Sequence, residues 1–256
     1  MRFILPLLLL LAACGGAPAP AEPPAAEKAA PQQLAQIPIF PPPDRPVAAI
    51  SGSGAWSDED SRDDSREAER VFKLLGIRPG LTVADIGAGS GYYTVRLAPA
   101  LAPGGRVIAN DVIPDYVKRL QQRTQAKGLT NIEFVLGDSG NANLPRESVD
   151  IALMVHMYHE IADPFSLLWH LHESLKPGET AQSQAQSPGG LVAIIDADRP
   201  TSRHGTPPDL LKCELKATGY RQIAFHRLEN NSYLAIFEPE SRPDPAKIQP
   251  CKTPRT

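Results

Sequence analysis

An apolar run, Val83-Ala84-Asp85-Ile86, enters three glycines at alternate positions, Gly87, Gly89 and Gly91, separated by Ala88 and Ser90, and a helix-forming stretch follows from about Tyr92. Glycine reaches backbone conformations closed to other residues, so this spacing dictates a tight strand-to-helix turn. With no side chains at alternate positions, a ligand can approach the main chain closely. The first turn of the following helix then offers free N–H groups to an anion. The dinucleotide fingerprint GxGxxG requires a sixth-position glycine, and Tyr92 stands there, which counts against a nicotinamide-dependent oxidoreductase.

Around this turn, short apolar strands alternate with helices. Ala68, Val71, Phe72 and Leu75 recur at helical spacing before Gly76. Strands are predicted at 82–86, 106–110, 132–136, 149–155 and 191–195, and helices at 114–127, 163–176 and 208–218. Tyr220 to Leu228, Asn230-Asn231 and Tyr233 to Phe237 predict a closing hairpin. The alternation specifies an α/β fold with a doubly wound, mostly parallel sheet. On such sheets ligands sit beyond the carboxyl ends of the strands, which makes the polar residues there the candidates for a site.

Asp111 ends the second strand about 20 residues after the glycines, where an acid meets ribose hydroxyls. Further on come Gly137-Asp138-Ser139, then Leu144-Pro145 and Ser148-Val149-Asp150. Taken together, residues from about 70 to 195 resemble the class I S-adenosylmethionine-dependent methyltransferases. Asp85 to Gly91 is similar to their first motif, Asp111 to their ribose-binding acid, and Asp138 to the residue facing the adenine amino group. Leu171 to Gly178, resumed at Gly189, resembles their post-helix LxPGG turn, split by a Gln/Ser-rich insertion over 179–188 that is expected to be a flexible surface segment. Gly91-Tyr92-Tyr93-Thr94 and the acidic, Arg-containing stretch Asp60 to Arg66 are shared with a bacterial group of predicted, often exported methyltransferases.

The resemblance implies a seven-stranded Rossmann-like sheet whose antiparallel seventh strand comes from the hairpin. It also implies S-adenosyl-L-methionine as cofactor, held by Asp85, Gly87, Ala88, Gly89, Gly91, Tyr92, Asp111, Asp138, Ser139 and His156. It implies no fixed catalytic residue, because alignment of the acceptor with the methyl group supplies much of the rate. His159, oriented by Glu160, is the candidate base for a protonated acceptor; alternatively the two residues cap the loop before Asp163-Pro164. Tyr92 and Tyr93 either cover the cofactor or pack in the core, and Asp60, Asp63, Asp64 and Arg66 form either a lid or a solvated helix face. The cluster at 156–160 is not HExxH, no CxxC pair is present, and no metal site is expected.

The chain ends differ in character from this middle. Met1-Arg2 and the apolar run Phe3 to Ala13, too short to span a bilayer, fit a secretory signal. Leu11-Ala12-Ala13-Cys14 resembles a bacterial lipobox, implying cleavage after residue 13 and lipidation of Cys14. Residues 14–50 are Pro/Ala-rich and are expected to form a disordered, PPII-like spacer. The methyltransferase domain is then expected over 51–239, and 240–256 as an irregular tail. Cys213 and Cys251 either pair, pinning that tail, or remain separate thiols.

These features describe an exported methyltransferase, lipid-anchored on the periplasmic side of a bacterial membrane and acting on a small-molecule or envelope-component acceptor. The alternative is a non-catalytic accessory lipoprotein that retains the fold. A net charge of −3 gives no case for a nucleic-acid partner.

Overall fold

The computed structural model describes residues 38–50, 59–178 and 189–252. Cys14, the expected signal peptide and the insertion at 179–188 lie outside the described residues. Seven strands form one sheet: β1 Thr82–Ile86, β2 Arg106–Asp111, β3 Ile132–Leu136, β4 Ile151–Val155, β5 Leu191–Ala197, β6 Tyr220–Arg227 and β7 Ser232–Pro239. Six helices accompany it: α1 Glu59–Asp64, α2 Glu67–Leu75, α3 Thr94–Leu101, α4 Pro114–Ala126, α5 Pro164–Leu171 and α6 Pro208–Ala217.

The strand order is β3-β2-β1-β4-β5-β7-β6. The first five strands pair in parallel, and β7 inserts antiparallel between β5 and β6. Central β1 is buried at every residue, as an apolar strand covered on both faces must be. Ile86, Ile108, Leu168, Leu171 and Leu211 pack in one core layer, and Val71, Leu97, Leu101, Val107 and Ile195 in another. From β1 the chain crosses to β2 on one side, and β4 lies on β1's other side. That reversal opens a crevice at the carboxyl ends of β1 and β4, the place where such sheets bind ligands.

The elements follow the sequence pattern closely. The hairpin turns through Asn230 and Asn231, both at positive φ, a conformation asparagine tolerates well. α5 is shorter than the predicted span and stops at Leu171, after which Leu175 bridges to Val149. The split turn closes across its insertion: the Gly190 N–H donates to the Lys176 carbonyl at 2.8 Å.

The packed unit is wider than the span 51–239 expected from sequence: its described residues run from Pro38 to Lys252. Within the expected spacer, Arg45 is fully buried and its Nε donates to Glu214 of α6 at 2.9 Å, while the Ala48 N–H donates to the His159 carbonyl at 3.0 Å. Proline denies this stretch a helix or a ladder position, yet an extended chain still lays one long side chain into a core. The expected tail also packs: Trp169 donates from Nε1 to the Pro243 carbonyl at 2.8 Å, and Ile248 and Cys251 are buried. Of the two cysteine alternatives, the disulfide forms, joining Cys213 of α6 to Cys251 with a Cα–Cα distance of 6.0 Å. Closing a loop of this length, 38 residues, restricts the unfolded chain by about 4 kcal/mol.

A candidate cofactor site at the sheet switch point

A cavity of about 230 Å³ occupies the crevice at the ends of β1 and β4. The last two turn glycines do different work. A Cβ at Gly89, where φ is +54°, would meet nothing nearer than the Gly87 carbonyl oxygen at 4.0 Å, so the loop there faces open space. A Cβ at Gly91, where φ is +85°, would stand 2.1 Å from Leu120 Cδ1. Gly91 therefore lets α4 pack against the turn. It is absent from the cavity wall, unlike the other residues assigned to the cofactor.

The other residues assigned to the cofactor, Asp85, Gly87, Ala88, Gly89, Tyr92, Asp111, Asp138, Ser139 and His156, all line the cavity. Asp111 is 7% exposed. Its Oδ2 accepts the Gly89 N–H and its Oδ1 the Ile113 N–H, both at 2.9 Å. Each oxygen keeps a second lone pair. Asp111 thus ties the glycine turn to the end of β2 and still has acceptors to offer. Asp138 folds over Gly140 through its Oδ1, and Ser139 bonds to Asp163. The wall also contains Val112, Ile161 and Leu167, apolar positions on which no motif reported.

Asp85 is 3% exposed and accepts the Thr94 hydroxyl at 2.6 Å. Burial pushes its carboxyl up to about 6. His156 ends β4 at φ +52°, and burial lowers its imidazole below the ordinary histidine range.

The two alternatives for the tyrosines hold together, and the charged helices meet them through Asp63, Arg62 and Glu67. Tyr92 and Tyr93 are buried and also line the cavity. Arg62 and Arg96 stack on the Tyr92 ring with their guanidinium carbons 3.7 and 3.8 Å from its centroid. Tyr92 donates to Asp63, and Tyr93 to Glu67, each at 2.9 Å. Arg123 of α4 holds Glu59, which lowers the Glu59 carboxyl below its ordinary value. Burial alone would raise Glu67, but the Arg62 guanidinium beside it holds its carboxyl low. Of α1 only Arg62 lines the cavity, while Asp60, Asp63, Asp64 and Arg66, the residues expected as a lid or a solvated face, are exposed.

His159 and Glu160 sit on a 3-10 turn, Tyr158–Glu160, just past β4. Glu160 lines the cavity, whereas His159 is fully buried and does not. The expected orienting role of Glu160 falls instead to Asp196, at the end of β5. Asp196 receives His159 Nδ1 at 3.0 and 3.1 Å, while Glu160 Oε1 is 3.9 Å from Nε2, beyond hydrogen-bond range. Asp196 also accepts from the Thr206 hydroxyl at 2.7 Å. Sequence reasoning missed Asp196, because a lone acid at a strand end carries no motif.

Residues 83–178 match the family model described as "Methyltransferase domain". Over that span the chain is similar to a methyltransferase domain. Relatives include demethylmenaquinone methyltransferase of Geobacillus stearothermophilus, 24% identical over 51% of this chain and 51% of the relative. Protein-L-isoaspartate O-methyltransferase of Aeropyrum pernix is 39% identical over 31% of this chain and 30% of the relative. The chain spans about half the length or less of these curated relatives. A crystal structure of a SAM-dependent methyltransferase from Aquifex aeolicus superposes with a TM-score of 0.64 at 22% identity, covering 73% of this chain and 98% of that one. The match and these relatives imply S-adenosylmethionine as the cofactor of this domain. Its cavity fits that cofactor: the main chain opens at Gly89, Asp111 retains acceptor lone pairs for paired hydroxyls, and Val112, Ile161 and Leu167 give the wall apolar surface.

Proposed function

We propose that this protein is an active S-adenosylmethionine-dependent methyltransferase, exported and lipid-tethered at Cys14, acting on a small-molecule or envelope-component acceptor. One observation carries the enzymatic part: Asp111 and the open Gly89 main chain meet at a single hydrogen bond on the wall of the switch-point cavity. Asp111 and the N–H groups of the turn would hold the ribose and the carboxylate, and Asp138 and Ser139 the adenine end. The bound cofactor supplies a methyl group already activated by its sulfonium. What remains for the chain is to align an acceptor, exclude water and take up a proton where the acceptor carries one. Glu160 and His156 are the titratable groups at the β4 end of the cavity, with His159 behind them. A second cavity of about 310 Å³ shares Arg62 and His156 with the first, which gives an acceptor a separate approach. The relatives are named for different acceptors, so none of those acceptors carries over.

The test is calorimetric titration of the full chain with S-adenosylmethionine, with S-adenosylhomocysteine and NAD as comparisons. Both sulfur ligands are expected to bind and NAD is not. Asp111→Ala is expected to weaken binding at least tenfold, the loss of a charge-assisted pair of hydrogen bonds worth about 1.5–3 kcal/mol. Equal binding by the variant refutes the ribose assignment. No binding by a folded wild-type protein favours the accessory lipoprotein.

The export reading is supported by the lipobox-like Leu11 to Cys14 and by the Cys213–Cys251 disulfide, a bond that persists in oxidising compartments. Among the described residues no helix is long and apolar enough to cross a membrane. Mass spectrometry of protein extracted from membranes is expected to show an N-terminus at a modified Cys14. An unmodified N-terminus at Met1 rejects the tether.

A further inference from the structure

Beside the cavity, three electron-rich side chains converge. His159 Nε2 and His204 Nδ1 each lie 3.9 Å from Glu160 Oε1, and the three donor atoms are all within 4.8 Å of one another. Both histidine nitrogens are buried without a hydrogen-bond partner. The rings of His159 and His204 stand edge to face, 5.4 Å between centroids.

The surroundings fix how these nitrogens are presented. His159 is 0% exposed, and Asp196, itself 0% exposed, receives its Nδ1 from both carboxylate oxygens. A neutral imidazole held in this way carries its proton on Nδ1 and directs the Nε2 lone pair at Glu160. A carboxylate facing that lone pair at 3.9 Å is repelled by it, and a cation held between the two donors removes the repulsion. His204 is brought to the same point by a main chain at φ +56°, a left-handed conformation that non-glycine residues seldom adopt. The Arg199 Nε donates to the His204 carbonyl at 3.0 Å and steadies that turn.

We infer that His159, Glu160 and His204 form a binding site for a divalent first-row transition ion, with Asp196 as the positioning carboxylate behind His159. Two imidazoles and one carboxylate match the donor set of three-ligand zinc sites that keep a further position open. A carboxylate bonded to the far nitrogen of a metal-bound histidine is the usual outer partner of such sites and sets the tautomer. A triangle with sides of 3.9, 3.9 and at most 4.8 Å has its equidistant point about 2.5 Å from each corner. Zinc prefers about 2.0–2.2 Å, so each donor has to move inward by about 0.4 Å. His204, with a 40% exposed side chain, has the freedom to do so. This site departs from the expectation of no metal, because His204 lies far along the chain from His159 and no local spacing announces it.

Glu160 lines both this cluster and the cofactor cavity, so the ion adjoins the acceptor end. There it would bind an acceptor hydroxyl or thiol and favour its deprotonated form. That role rests on the methyltransferase reading; the metal site itself does not.

The full chain, carrying no polyhistidine tag, is stripped with chelator and titrated with Co2+, followed by its visible absorption, and with Zn2+ in competition. One equivalent per chain is expected. His204→Ala and Glu160→Gln should each weaken Zn2+ binding at least tenfold, whereas His226→Ala, on the edge strand β6, should not. Circular dichroism checks that the variants fold. Less than a tenth of an equivalent bound by wild type, or unchanged affinity in both His204→Ala and Glu160→Gln, overturns the site. Metal content is read without cofactor, so a failure here and a failure to bind S-adenosylmethionine are separate results.

Discussion

Arg45→Met is expected to destabilise the protein by about 3–5 kcal/mol, although residue 45 lies in a stretch whose composition reads as a spacer. The guanidinium and its partner Glu214 are both fully buried. Arg45 Nε donates to Glu214 Oε1 at 2.9 Å, and its terminal nitrogens reach the Tyr158 and His159 carbonyls at 3.4 Å. Glu214 Oε2 accepts the Tyr158 hydroxyl at 2.8 Å. Removing the arginine leaves a carboxylate in the core with one remaining donor, and an uncompensated buried charge dominates the loss. The double variant Arg45→Met with Glu214→Leu removes both charges and is expected to recover most of that loss. Urea unfolding curves of the three proteins measure this. A single variant within 1 kcal/mol of wild type would falsify the anchoring role. A partial loss of cofactor affinity should accompany Arg45→Met, since the carbonyls it holds belong to the turn carrying Glu160.

That anchor marks the limit of what the sequence made legible. The glycine turn, the acid ending β2 and the strand-helix alternation were readable because each is local: spacing alone sets backbone conformation and periodicity. The cofactor wall followed from the same signals, with Gly91 the exception, since its missing side chain makes room for Leu120 and leaves no trace distinguishing it from Gly89. Arg45, Asp196 and His204 were not readable as a group. Each acts through a partner far off in the chain, and a single arginine, aspartate or histidine between prolines or at a strand end looks the same whether solvated or buried. The role expected for Glu160 as the orienter of His159 shows the same bias, a sequence neighbour preferred over the spatial one.

Asp85→Asn is expected to make the cofactor-free protein more stable at neutral pH and to weaken its hold on S-adenosylmethionine. Burial raises the Asp85 carboxyl from its ordinary 3.8 to about 6, despite the Thr94 hydroxyl it accepts. A carboxyl raised on folding favours the folded state while it stays protonated. That advantage is complete below about pH 4, and it is lost as the pH rises through 6, because folded Asp85 must then ionise in a poorly solvated site. The asparagine variant has no such loss, so its advantage over wild type should be absent at pH 4 and grow to at most about 3 kcal/mol by pH 8. Glu59, Asp63 and Glu67 shift the other way, and their contribution is lost only as pH falls below about 4.5. His156, lowered by burial, loses stability as pH falls through 6.5. Both effects are common to the two proteins and cancel in the difference. A cationic ligand reverses the balance: its positive charge favours ionised Asp85, so binding near pH 6, where the free protein holds this proton about half the time, should release up to about half a proton in wild type and none in Asp85→Asn. Calorimetry in buffers of different ionisation enthalpy counts those protons. A stability difference that is flat from pH 4 to 8, or equal proton release by both proteins, removes Asp85 from this role. The opposite result places the cost of an unstable buried acid at the point where the cofactor's charge is received, a trade of folding stability for binding found where sites are built to hold charge.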